Sequence, residues 1–470
     1  MLDQADQIGT VWLPVPHLLL LPFTYITPLW VSGIAGCITG MIYLIVCCSY
    51  LFLTIRFITK SNFAAWMGFF LFLFNPNVLY MYTTAMMEPV LIMFMISALY
   101  FALKWTVTKS SFHLLMAGLL TAMAVGSRYE GWFFAVILAG LIFLSEALNK
   151  GKPFKYTRNF LILPAVFVIL WFAYNHFYQG DFLAFQRGEY SSQAQMQQFE
   201  EAGRLPTKGN WAISFFTYNS TIITTCGIIT VLLFIPALIF YAFRTKFKKY
   251  SLLPLSLIMI YPFSVLSLYL GQVMIELPNT DPSGYWNSRY GLILLPGIIL
   301  FIGYLFSSVS RYREFRFVLP VIILLQSALW INNFPESAPT IAEANSLKMV
   351  KPQLRRVSDY FHKNYDGGNI FYDDLAISFF SGSGIPMNQR IHNYTYMLRD
   401  AALQKPSDFV EWVLLNPGNP NDRIYPLIKD NPDFNKNFKL QYIDNDLYVY
   451  KRNPGLPPIT DIHEYVKDKN

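Results

Sequence analysis

One tripeptide occurs twice at comparable places in the chain. Ser127-Arg128-Tyr129 opens "SRYEGW" and Ser288-Arg289-Tyr290 opens "SRYGLILLP", each at the edge of an apolar run of membrane length. Arginine stays charged at any relevant pH, and its planar fork of N–H donors matches phosphate oxygens. An arginine at a membrane surface therefore either anchors to lipid phosphate or binds the phosphate of a ligand. Tyr129 and Tyr290 are either partners in that binding or ordinary interfacial belt residues. Glu88, in "MMEP", opens another apolar run just before a proline, where a carboxylate suits a helix N-terminus. Capping explains it structurally, yet a carboxylate at membrane depth with no charged neighbour in sequence is also a functional candidate.

These groups need elements to hold them, and composition says which. Of 470 residues 54% are hydrophobic and only 14% charged. Soluble domains carry roughly a quarter charged residues, so the chain reads as a membrane protein. Apolar runs fill it as far as Asn333; the remainder has ordinary soluble composition, dividing a membrane domain (1–334) from a C-terminal domain (335–470). The formal charge of +7 sits in short loops between apolar runs, which is membrane topology and not a nucleic-acid surface. Cys37, Cys47, Cys48 and Cys226 all lie in apolar segments and read as packing residues.

About ten spans fit between Gly33 and Asn333, the seventh read as Ile222–Phe243. The loops alternate. One set carries Arg56 and Lys60; Lys104 and Lys109; Lys150, Lys152, Lys155 and Arg158; Arg244, Lys246, Lys248 and Lys249; Arg311, Arg313 and Arg316. The other set, 75–88, 126–131, 179–221 and 271–288, is poor in both residue types. Lys and Arg accumulate on the cytoplasmic side, so the second set and the tail are expected outside. Glu88 and both Ser-Arg-Tyr sites then share the outer face with His17, His176, Asp181, Arg187 and Glu276. Each histidine is either a metal ligand or a hydrogen-bonded packing residue. The long 179–221 loop is polar without strong periodicity and is expected to be mobile, a lid that orders over the site when donor binds. The Pro-broken segment 9–28 is expected to lie along the interface, since spanning would invert every later loop.

The tail predicts an amphipathic helix around Val350–Tyr365, a strand "NIFYDD", a short helix near Leu375–Phe380, a strand "FVEWVLL" and a hairpin turning at Asp444–Asp446. Such a mixture suggests a small α/β domain. It holds no glycine-rich phosphate loop, paired zinc motif or nucleophile elbow.

"GTVWLPVPH", "MMEP", "SRYEGW", "GDFLAF" and "SRYGLILLP", in that order and followed by an α/β tail, resemble the GT-C superfamily of integral membrane glycosyltransferases. The nearest branch looks like the bacterial relatives of protein O-mannosyltransferases and the lipid A aminoarabinose transferase. The resemblance implies a GT-C-like helical bundle with an extracytoplasmic α/β domain, in a bacterial plasma membrane. It implies transfer of a sugar from a polyprenyl-phosphate donor to a protein, glycan or lipid acceptor on the outer face. Arg128 and Arg289 become leaving-group candidates, with Tyr129 and Tyr290 beside them, and Glu88 matches the family's acidic position. No cofactor is certain; a divalent metal is possible. The family's base is an aspartate in an outer loop preceded by a helix, so the chain is expected to lack its true beginning, with Asp6 the weaker candidate base. A lipid-linked sugar flippase or transporter, and a non-catalytic assembly protein of the same fold, are the competing readings.

Overall fold

Apolar runs of this kind become helices because a helix satisfies its own backbone polar groups where no water can. A computed structural model of the chain describes residues 11–470, apart from 189–190, 310–314, 335–337, 349–350, 375–376, 378–382, 394, 463 and 466–470. Its contacts form two units. The first, Val11–Ile26 with Gly33–Ser346, is a helical bundle.

The bundle begins with α1 (Val15–Thr24), α2 (Ile34–Thr59), α3 (Asn62–Leu73), α4 (Met87–Thr108), α5 (Ser111–Val125), α6 (Glu130–Leu148) and α7 (Pro153–Gln179). It continues with α8 (Ser192–Glu201), α9 (Trp211–Cys226), α10 (Ile228–Thr245), α11 (Ile260–Tyr269), α12 (Leu295–Val309), α13 (Phe315–Asn332) and α14 (Pro339–Lys348). Among the described residues seven helical segments are long and apolar enough to cross a membrane, and Asn62–Leu73, Ser111–Val125 and Pro320–Asn332 are shorter apolar helices. These ten correspond to the expected runs, the seventh starting later than read, and the chain is a multi-pass membrane protein. α1 has 10 residues, about 15 Å at about 1.5 Å per residue, and belongs with the shorter apolar helices.

α4 is the central staff, packed on α2 and α5 and buried along its length through Ile96, Leu99 and Trp105. Its 22 residues span about 33 Å and separate two polar ends. At one end stand Glu88 and the turn from α5 to α6. At the other, Glu146 accepts hydrogen bonds from Lys109 Nζ (2.6 Å) and Tyr250 Oη (2.7 Å).

Two expectations need correction here. The seventh run is divided at Gly227, where Gln326 Oε1 accepts the Ile229 N–H at 2.9 Å. Its first part belongs to α9, which begins at Trp211, inside the stretch read as a loop. The 179–221 stretch, read as a loop, also carries the helix α8. Ser191 caps α8 by accepting the Ala194 N–H at 3.2 Å, and Met196 and Leu205 close over Met274. Arg204 then ties the stretch to Glu276 at 2.6 Å.

The second unit comprises Thr27–Ser32 and the chain from Leu347 onward. The division thus falls after Ser346, later than the compositional break at 334. Local bonding explains the difference: Thr340 donates through both its hydroxyl (2.7 Å) and its N–H (3.2 Å) to Asn77 Oδ1 of the bundle.

β1 (Ile370–Tyr372), β2 (Arg390–His392), β3 (Trp412–Leu415), β4 (Phe438–Asp444) and β5 (Leu447–Arg452) form one sheet, ordered β2-β1-β3-β5-β4. β1 pairs parallel with β2 and β3, while β5 pairs antiparallel with β3 and β4. Phe371 and Val413 face one core, shared with Leu398 and Ala402 of α16 (Tyr396–Gln404). Ile370, Tyr372, Trp412 and Leu414 face the other, under Leu354, Val357 and Phe361 of α15 (Lys351–Asn364). That alternation is the period of two of a sheet covered on both sides. The hairpin turns at Asn445, as expected. The expected helix near Leu375–Phe380 lies largely outside the described residues, and β2 is an addition to the sequence reading.

His392, at the end of β2, has a pKa pushed down to about 4 by burial and by the neighbouring Arg390 charge. The unfolded chain therefore binds a proton below about pH 6.5 that the folded unit refuses, so stability falls as pH drops toward 4. Between about pH 6.5 and pH 5 the expected loss is about 2 kcal/mol. Amide hydrogen exchange in β1 and β3, corrected for intrinsic rates, should quicken accordingly; unchanged protection at pH 5 would contradict the assignment.

Candidate active site

The α5–α6 turn holds Arg128. Ser127 and Arg128 donate their N–H groups to Ala124 O (3.1 and 3.3 Å), and Gly131 returns its N–H to Arg128 O at 2.9 Å. A Cβ on Gly131 would meet Ala124 O at 2.2 Å, so this tight turn requires glycine. The Pro-rich segment is laced to it: Val15 N–H reaches Gly126 O at 3.0 Å, and Tyr129 Oη donates to Val11 O at 3.2 Å.

Arg289 comes from a 3₁₀ segment, Ser288–Leu294, that runs directly into α12. There a Cβ on Gly291 would lie 2.4 Å from Thr225 Oγ1 and 2.7 Å from Thr221 O. Glycine lets the segment approach α9 closely enough to aim Arg289 into the bundle.

The two arginines meet on one carboxylate. Glu88 Oε1 accepts Arg128 Nη1 and Arg289 Nε, each at 2.8 Å. Glu88 and Arg128 are buried, and Arg289 is 18% exposed at its side chain. The repeated motif is thus a convergence of two loops on the first turn of α4. Tyr290 lies beneath both guanidiniums, 4.7 Å from Arg128 Cζ and 5.4 Å from Arg289 Cζ, in cation–π contact. Tyr129 points elsewhere, stacking on Phe185 at 5.4 Å, so the two tyrosines have different surroundings.

Two more carboxylates complete the cluster. Glu130 receives Arg128 as a fork, Nη2 at 2.8 Å and Nε at 3.1 Å. Burial works against the charge on Arg128, but Glu130 and Glu88 more than offset it, and its pKa is raised. Glu343, on α14, accepts Arg289 Nη1 at 2.9 Å. Two guanidiniums face three carboxylates, leaving one negative charge in excess. Glu88 Oε2 is buried without a hydrogen-bond partner. An unpaired buried carboxylate oxygen is costly, and such groups collect at functional sites.

The remaining candidates are dispersed. His17 and His176 are exposed, the latter stacked on Phe182 at 4.1 Å. Asp181 pairs at 3.9 Å with Arg187 on the surface. Asp6 lies outside the described residues. Among the described residues no three His, Cys, Asp or Glu side chains gather as metal ligands. Sequence reading missed Glu343 and Glu130 as members of the cluster; Glu130 adjoins the quoted tripeptide, whereas nothing local marks Glu343.

Residues 37–179 match the model of the dolichyl-phosphate-mannose-protein mannosyltransferase family. The matched region includes Glu88 and Arg128 and ends before Arg289. No curated protein sequence matches the chain. The fold is similar to that of ArnT from Cupriavidus metallidurans, solved with undecaprenyl phosphate: 10% identity, 91% of this chain and 85% of that one covered, TM-score 0.54. A weaker likeness, TM-score 0.47 at 11% identity over 90% of this chain and 64% of the other, is to the archaeal oligosaccharyltransferase AglB from Archaeoglobus fulgidus, solved with an inhibitory peptide and a dolichol-phosphate.

Proposed function

We propose that the chain is a GT-C-type membrane glycosyltransferase that moves a sugar from a polyprenyl-phosphate carrier to an acceptor at the outer surface of a bacterial plasma membrane; the family match over residues 37–179 and the fold likeness to ArnT support this reading. The observation that carries this reading is the meeting of Arg128 and Arg289 on Glu88 at one end of α4. The carrier's tail stays in the bilayer while its phosphate reaches the guanidiniums. The undecaprenyl phosphate in the similar ArnT structure supports a donor of this class.

In the transfer, an acceptor hydroxyl oxygen bonds to the anomeric carbon as the bond from that carbon to the phosphate oxygen breaks. The electron pair leaves with the carrier phosphate, and the hydroxyl proton passes to a carboxylate. Arg128 and Arg289 stabilise the charge arriving on phosphate, and Tyr290 holds both guanidinium planes. Glu88 orients the pair through Oε1 and presents Oε2 without a partner. Glu88 and Asp6 are the candidate proton acceptors, and the extracytoplasmic tail serves recognition or support.

The purified protein in liposomes should release radiolabelled sugar from a polyprenyl-phosphate sugar to an acceptor fraction of cell envelope. Movement of intact donor across the liposome without release would favour the flippase reading. Neither release nor movement would favour a non-catalytic assembly protein.

A further inference from the structure

Glu343 is bound like a ligand. Its Oε1 accepts the Asn287 N–H at 3.2 Å and Arg289 Nη1 at 2.9 Å. Its Oε2 accepts the Ser288 N–H at 3.2 Å and the Ser288 hydroxyl at 2.8 Å. Four donors surround one carboxylate: two backbone amides at a helical start, a hydroxyl and a guanidinium. Two amides, a hydroxyl and a guanidinium are donors that a pair of phosphate oxygens also accepts from, and the carboxylate oxygens stand in for them. Glu88, with its buried and unpartnered Oε2, shares Arg289 with this position.

We propose that these donors form a phosphate seat which Glu343 fills when no donor is bound, and that an incoming carrier phosphate displaces it as α14 withdraws. The inference rests on the reading of the chain as a polyprenyl-phosphate-dependent transferase and adds how that site is gated. Charge gives the reason. With Glu343 in place the cluster already holds one negative charge in excess, so a phosphate arriving there would be repelled. Withdrawing Glu343 leaves two guanidiniums with two carboxylates and frees four hydrogen-bond donors in a poorly solvated position, where an anion is strongly favoured.

Withdrawal of α14 would break few polar contacts, although Thr340 and Ala342 are buried. Beyond Glu343, its described side-chain and amide bonds to the bundle are the two from Thr340 to Asn77. Leu347, near the end of α14, already belongs to the second unit. In sequence, α14 leads from the bundle toward the tail.

Farnesyl phosphate and inorganic phosphate, titrated into the full chain in detergent, test the proposal. If Glu343 fills the seat in about nine molecules of ten, Glu343→Gln should bind farnesyl phosphate about tenfold more tightly than the unaltered chain. The same ratio with inorganic phosphate would show a seat for phosphate in general; the ratio with farnesyl phosphate alone would show one for a lipid headgroup. A cysteine pair replacing Asn77 and Thr340, oxidised to hold α14 down, should bind at least about tenfold more weakly and recover on reduction. Equal or weaker binding by Glu343→Gln with an unchanged melting temperature would overturn the gate, leaving the transferase reading intact. So would unchanged binding by the oxidised pair. Failure of every protein, including the unaltered chain, to bind farnesyl phosphate would overturn the transferase reading and the gate with it.

Discussion

Glu88→Leu is expected to cost about 3–5 kcal/mol of bundle stability, because removing one partner of a buried ion pair leaves the other charge uncompensated. Here a single oxygen serves two guanidiniums at 2.8 Å, so both lose a partner together. Arg128 keeps Glu130 and Arg289 keeps Glu343, which sets the loss near that range and not at twice it. Glu88→Gln retains the shape and one acceptor oxygen. It should therefore melt closer to the unaltered chain while losing most sugar transfer, since the arginines are no longer drawn to one point. Thermal unfolding in detergent, read beside transfer, separates the two effects. A Glu88→Leu chain that melts as the unaltered one does would mean that the charges are already solvated.

Arg128→Ala and Arg289→Ala should each lower transfer by about 10²–10³-fold, the usual consequence of losing one donor aimed at developing charge. Lysine should rescue them unequally. Arg128 uses its planar fork on Glu130 and a third nitrogen on Glu88, and an ammonium cannot reproduce that geometry. Arg289 contacts two different carboxylates through separate nitrogens, so a lysine there can still supply a point charge. Arg289→Lys should thus retain more activity than Arg128→Lys. Equal activity of both alanine variants with the unaltered chain would return the arginines to a lipid-anchoring role.

The bundle was legible because its helices are long, apolar and punctuated by basic loops. The exception is α9, and its chemistry explains why. "FFTYNSTIITTC" looks polar by composition, yet its hydroxyls bond their own helix: Thr221 Oγ1 to Thr217 O at 2.7 Å and Thr225 Oγ1 to Thr221 O at 2.6 Å. Groups satisfied in this way sit in a membrane bundle at little cost, although a sequence reading counts them as loop-forming. β2 was invisible for a simpler reason, being three residues of which two are ionisable.

The candidate site was legible in part. The repeated tripeptide and "MMEP" pointed to Arg128, Arg289 and Glu88 separately. Their convergence, over separations of 40 and 201 residues, is a tertiary fact that no spacing encodes. Glu343 lay hidden for the same reason and because "TIAEAN" follows the compositional break, where a glutamate reads as an ordinary solvated residue. Its assignment to the tail and its bonding to Ser288 are reconciled only by the position of α14.

The most direct measurement of the central claim is a structure of the chain with undecaprenyl phosphate bound. Phosphate oxygens are expected within about 3 Å of nitrogens on both Arg128 and Arg289, beside Tyr290 and at the Glu88 end of α4. Phosphate held elsewhere, with both arginines still closed on their carboxylates, would contradict it.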